Sequence, residues 1–130
     1  MVPFAASPDF VSFYIHISQL AQHTHDILAD SRVSLMIAEH DAGVADPQTL
    51  ARVSLQGEAS EMAEADADYA DAKARYLGRL PEAAFNFTLG DFSLFRVHAT
   101  SARYVAGFGR IFNLTGEHLK KVAEVRTGTA

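Results

Sequence analysis

The sequence predicts an α+β fold dominated by β: a mainly antiparallel sheet of six strands, curled into a small barrel and flanked by short helices. Three observations predict it. Runs rich in β-branched and aromatic residues recur along the chain, and turn residues punctuate them. The helix-forming segments do not alternate with them in the regular rhythm that a parallel sheet requires.

Taken in order, residues 1–6 form a short apolar run stopped by Ser7, Pro8 and Asp9, which are turn formers. Residues 10–17 follow as a second strand and make a hairpin with the first. Ser18 then caps a short amphipathic helix reaching Ala29, with Leu20, His23, Ile27 and Leu28 on one side at helical spacing. Asp30 and Ser31 break it. The next run, 32–39, is apolar enough to be a strand covered on both faces. Residues 41–49 hold Gly43, Asp46 and Pro47 and read as an exposed loop. A long strand at 50–62 carries Gly57, the mark of a bulge. The alanine-rich stretch 64–80 has strong helix propensity and ends at Pro81, with a further helical turn to residue 87. Residues 91–100 and 102–113 read as two strands around a tight turn at Ser101. The chain divides into a barrel domain, 1–113, and a polar carboxy-terminal tail, 114–130, with the makings of a short helix.

Composition narrows the function classes. With 130 residues and 48% hydrophobic content, one globular domain has enough apolar surface for a core. A net charge of −5 argues against a nucleic-acid binder. No apolar run is long enough to span a membrane, and the amino terminus lacks the charged and apolar regions of a secretory signal. The cysteine count is zero, which excludes disulfides, thiolate catalysis and zinc–sulfur sites. A cytoplasmic domain is the expectation.

Few residues announce chemistry. His16, His23, His25 and His40 crowd the first third of the chain, but no pair has the i, i+4 spacing of a helical metal site. No metal is expected. Ser18 at a helix start offers a hydroxyl and free backbone N–H groups where the dipole favours an anion, and His23 and Thr24 lie a turn further on. A plain serine cap explains the same pattern. Arg52 stands in an otherwise apolar strand, either outward at an edge or aimed at an anion. Gly107 and Gly109 flank Phe108 ahead of Arg110; glycines there suit close approach of a flat ligand, or a bulge or barrel corner. Neither a nucleophile elbow, a phosphate-binding P-loop nor a dinucleotide fingerprint occurs. Any hard chemistry would belong to a bound cofactor.

Three segments in series carry a resemblance: YIHISQLAQHTHDILADSRVSLMI at 14–37, ARVSLQGEA at 51–59 and ARYVAGFGRIF at 102–112. Together the chain resembles the FMN-binding split-barrel superfamily, the pyridoxamine 5′-phosphate oxidase-like proteins. It is most similar to the branch that includes haem-degrading split-barrel oxygenases. The resemblance implies a six-stranded split barrel and a homodimer with FMN in a groove between subunits. It implies phosphate ligands at Ser18, Gln19, Leu20, His23 and Thr24, a flavin contact at Arg52, and an approach to the cofactor by Phe108, Gly109 and Arg110 from the other subunit. Catalytic residues stay unassigned.

The chain departs from that pattern in three places. Gln22 and His23 stand where pyridoxamine phosphate oxidases carry an Arg-Lys pair, against a vitamin B6 role. The helix and complete strand that usually come before the segment matched by Met1–Ala6 are expected to be missing, and 117–126 is at most a stub of the haem-ligating carboxy-terminal extension. The resemblance therefore implies an FMN-dependent oxidoreductase of unassigned small-molecule substrate. Its alternatives are a haem-binding or haem-degrading oxygenase and a non-catalytic flavin-binding dimeric module.

Overall fold

The computed structural model describes the backbone of residues 1–40, 43, 46–107 and 109–128. It shows the α+β split barrel that the sequence predicts, with six antiparallel strands in one sheet. The strands are β1 (Ala5–Ala6), β2 (Ser12–Ser18), β3 (Arg32–Ala38), β4 (Arg52–Glu61), β5 (Phe92–Val105) and β6 (Ile111–Thr115). The helices are α1 (Gln22–Ala29), α2 (Tyr69–Arg79) and α3 (Gly116–Gly128), with 3₁₀ turns at Pro47–Thr49 and Pro81–Thr88.

The sheet runs β1-β2-β5-β4-β3, and β6 joins β5 off that path. β4 takes one edge of β5 from Phe95 to Val105. β2 pairs with the other edge over Phe92–His98, and β6 with the same edge over Ser101–Val105. So β2 and β6 lie end to end along β5. The inner face holds Ile15, Leu55, Phe95 and Val97, and Leu119 of α3 plugs the same core. On the outer face α2 packs over β1 and β2, burying Tyr14, Met62, Ala72, Tyr76 and Leu94 together.

Several local expectations need correction. Ser18 does not cap α1; it is the last residue of β2, in register with Phe92, and the helix begins at Gln22 with Ala21 ahead of it. Of the apolar side expected for this helix, Ile27 packs against the core, but Leu20 is 82% exposed and Leu28 is also exposed. β3 is an edge strand with one side half-buried and one exposed, rather than covered on both faces. α2 starts at Tyr69 rather than at 64, because the Asp66 carboxylate accepts the Ala63 N–H at 2.8 Å and holds a turn instead.

The largest correction concerns the carboxy-terminal hairpin. Ser101 is not a turn; it pairs with Gln56 on one side and Thr115 on the other, inside a 14-residue strand. The reversal lies at 106–110, where Gly107 and Gly109 take φ of +137° and +80°. Only glycine adopts such angles without strain, so the chain turns there and not at a serine. The bulge expected near Gly57 is present. Gln56 pairs with Ser101 but Gly57 with Ala99, so Thr100 is the extra residue. A Cβ on Gly57 would lie 2.2 Å from the His98 carbonyl oxygen, which explains the glycine.

Candidate functional site

The residues named from sequence gather in two places. Ser18, Gln19, Leu20, His23 and Thr24 lie at the corner between β2 and α1, beside the start of β5. Arg52 opens β4 and pairs with Val105 at the far end of β5, where the turn carrying Gly109 and Arg110 begins. Phe108 lies outside the described residues.

At the corner, the polar groups largely serve the chain itself. Thr24 is 0% exposed, and its hydroxyl donates to the Ser18 carbonyl at 2.6 Å. That bond ties the first turn of α1 to the end of β2, a task the sequence had suggested for the Ser18 side chain. Ser18 Oγ accepts the Leu20 N–H at 3.1 Å. Gln19 donates from Nε2 to Ser93 Oγ at 3.0 Å, and its carbonyl meets His25 Nε2 at 2.8 Å. His23 is exposed on α1. No Lys or Arg occurs between residues 14 and 29. A phosphate monoester wants several free donors and at least one cation. With Thr24 committed and no Lys or Arg in residues 14–29, a phosphate here would rely on the Ser18 hydroxyl, backbone N–H groups and the histidines of this segment.

The other end of β5 is different. Arg52 is half-buried, and its Nη1 donates to the carbonyls of Leu50 at 3.3 Å and Gln48 at 3.4 Å. Register places Arg52 opposite Val105 and Ser54 opposite Arg103, so Arg52 and Arg103 are diagonal neighbours on the outer face. Among the described residues neither has a carboxylate partner. Two rows cross the sheet here: Met36, Ser54, Arg103 and Asn113 in one, and Ala38, Arg52, Val105 and Ile111 in the next. Met36 is 70% exposed and Ile111 is exposed as well. This half of the outer face therefore presents apolar side chains and two guanidinium groups that lack a carboxylate partner among the described residues.

Sequence reasoning missed Arg103. Alternation from Phe95, Val97 and Ala99 points residue 103 inward, and the extra residue at Thr100 turns it outward beside Arg52. The one available signal was Gly57 as a bulge marker, but it names neither the bulged strand nor the residue.

A second buried feature also escaped. His16 is 8% exposed beneath α2 and the Pro81–Thr88 turn, stacked on Phe87 with ring centres 3.7 Å apart. Tyr76 meets it edge-on at 5.9 Å. Its Nδ1 has no hydrogen-bond partner among the described residues. Burial pushes its pKa below the usual imidazole value, and the Lys73 ammonium adds to that. It belongs to the packing under α2, away from both clusters.

Six antiparallel strands in one sheet, with β1 and β3 as its unpaired edges, define a split barrel. Residues 7–119 match the family model described as CREG, beta-barrel, and the chain belongs to this family. It is 37% identical over 123 residues to the chloroplastic non-canonical heme oxygenase HOZ of Arabidopsis thaliana, covering 93% of this chain and 35% of that protein. A heme binding protein from Mycobacterium smegmatis superimposes with a TM-score of 0.82 at 28% identity, over 92% of this chain and 48% of that one. The chain thus spans less than half the length of either relative. The barrel is also shared, at fold level, with a protein of the pyridoxinephosphate oxidase family from Clostridium acetobutylicum. That likeness has a TM-score of 0.56 at 11% identity, over 83% of this chain and 68% of that one.

Proposed function

We propose that this chain is a haem-binding split-barrel module that works as a homodimer, with the ligand held against the bare half of the outer sheet face. The observation that carries the reading is the Arg52–Arg103 diagonal on an open face that also presents Met36, Val105 and Ile111. Haem has the matching chemistry: an apolar plate with two carboxylates at one edge. Arg52 and Arg103 would take the carboxylates by charge-assisted hydrogen bonds, and the apolar side chains would cover the plate. Bound haem would supply iron for oxygen chemistry. The Arabidopsis and mycobacterial relatives, named for haem, support the same ligand.

The flavin reading implied by the resemblance, an FMN-dependent oxidoreductase, has the fold behind it but meets a β2–α1 segment, residues 14–29, that holds no Lys or Arg. A cytoplasmic address does not enter the proposal, because the Arabidopsis relative is chloroplastic. Among the described residues, no helix is long and apolar enough to cross a membrane.

Absorbance titration with haemin decides between the ligands. The expected result is a saturable Soret shift, weakened about tenfold or more by Arg103→Gln at unchanged thermal stability. A flat haemin titration together with saturable quenching of FMN fluorescence would replace this reading with the flavin one.

A further inference from the structure

The ends of the sheet do not meet, and the space between them is built. Val2, just ahead of β1, and Val33 and Leu35 of β3 line one cavity of 410 Å³, although β1 and β3 are opposite edges of the sheet. Its floor is the barrel core itself, Ile15 and Val97, and Ile27 of α1 forms a wall. An apolar cavity of this size falls in the range of small-molecule sites.

The mouth is polar and of one kind. His23, Asp26 and Asp30 come from α1 and its carboxy-terminal end, with Arg32 and Ser34 from β3. Arg32 is chelated by Asp30, with Nη2–Oδ2 at 2.7 Å and Nε–Oδ1 at 3.1 Å. Its cation is therefore spent inside the rim. Among the described residues, Asp26 has only Gln22 Nε2 at 2.9 Å as a side-chain donor. Asp26, Asp30 and Arg32 together give the mouth a net −1 charge. Both Asp30 oxygens already accept from Arg32, so among the described residues the mouth's uncommitted acceptors are the Asp26 carboxylate and the His23 imidazole.

From this we infer that the seam of the barrel is a binding site for an apolar primary amine, with its hydrocarbon on Ile15, Ile27, Leu35 and Val97 and its ammonium at Asp26 and His23. A primary ammonium has three donors and no acceptor, which suits a mouth whose uncommitted groups are a carboxylate and an imidazole nitrogen. The acidic mouth disfavours carboxylates and phosphates, so this site is separate from the arginine face and its ligand is of opposite charge.

The test is methyl-detected NMR titration with three probes of equal chain length: n-octylamine, n-octanol and n-octanoate. The expected result is saturable shifts at the Ile27, Leu35 and Val97 methyls, with octylamine bound at least about tenfold more tightly than octanoate. Asp26→Asn, on an exposed helix position, should bring octylamine down to the affinity of octanol. Leu35→Trp should abolish binding of all three by filling the cavity. Equal affinity for octanoate, or octylamine shifts without saturation, overturns the proposal. So does a folded Asp26→Asn protein that keeps the full preference for the amine.

Discussion

Ser18 and Arg52 stand at opposite ends of β5: Ser18 pairs with Phe92 and Arg52 with Val105. The intervening strand is 14 residues long, roughly 40 Å at the usual strand rise. The two groups of residues that the family resemblance joins in one cofactor site are therefore far apart along the sheet of one chain. A two-fold dimer is the simplest way to bring opposite ends of such a strand together, since each subunit then lends one end to each site.

The dimer is expected to use the bare outer face, where Met36 stands 70% exposed. Light scattering should give twice the 14.1 kDa chain mass for the native protein. Met36→Lys should shift it toward the monomer while changing stability by only about 0.5 kcal/mol, as exposed substitutions do. A native protein that scatters as a monomer at all concentrations would sink the shared-site reading.

Gly57→Ala tests the bulge. The new methyl would sit 2.2 Å from the His98 carbonyl oxygen, a backbone atom that cannot swing away. Chemical denaturation should show a loss of about 3 kcal/mol. A loss below about 0.5 kcal/mol would mean that β4 and β5 do not approach this closely at Thr100.

The Thr24 hydroxyl is predicted to hold the β2–α1 corner rather than a ligand. Thr24→Val keeps the shape and removes the donor to the Ser18 carbonyl, at a cost of about 1–2 kcal/mol in urea denaturation. Thr24→Ser should recover most of it. If Thr24→Val instead leaves stability untouched and weakens cofactor affinity, the hydroxyl serves the ligand.

His16 should make the fold acid-sensitive. Burial first, and Lys73 second, hold its folded-state pKa below the ordinary imidazole value of 6.5. The unfolded chain therefore binds the proton more readily, and stability falls as pH drops through and below that value. Above it both states are neutral and His16 adds no slope. His16→Phe removes the titration, so its melting temperature should fall less between pH 7.5 and pH 5 than that of the native protein. Equal falls would show that His16 reaches solvent as the proton arrives.

Much of the fold was legible because it is local. The alternation in 10–17, the Pro81 stop after an alanine-rich helix and the glycine in the long β4 run each reflect residue-by-residue preference. The misplaced turn shows the limit. Ser101 and Gly107 both break a β pattern on paper, but only glycine supplies the positive φ that the reversal requires.

What the sequence by itself determined is the barrel class, its core-forming strands and the residue types on hand for ligands. What only the tertiary structure decided is which of those residues meet. The Thr100 bulge turns Arg103 outward to stand beside Arg52, and the curl of the sheet brings Val2 across from Leu35. Both depend on pairing between residues distant in the chain. Cross-strand register is set by contacts summed over a whole sheet, so no local stretch of sequence contains it.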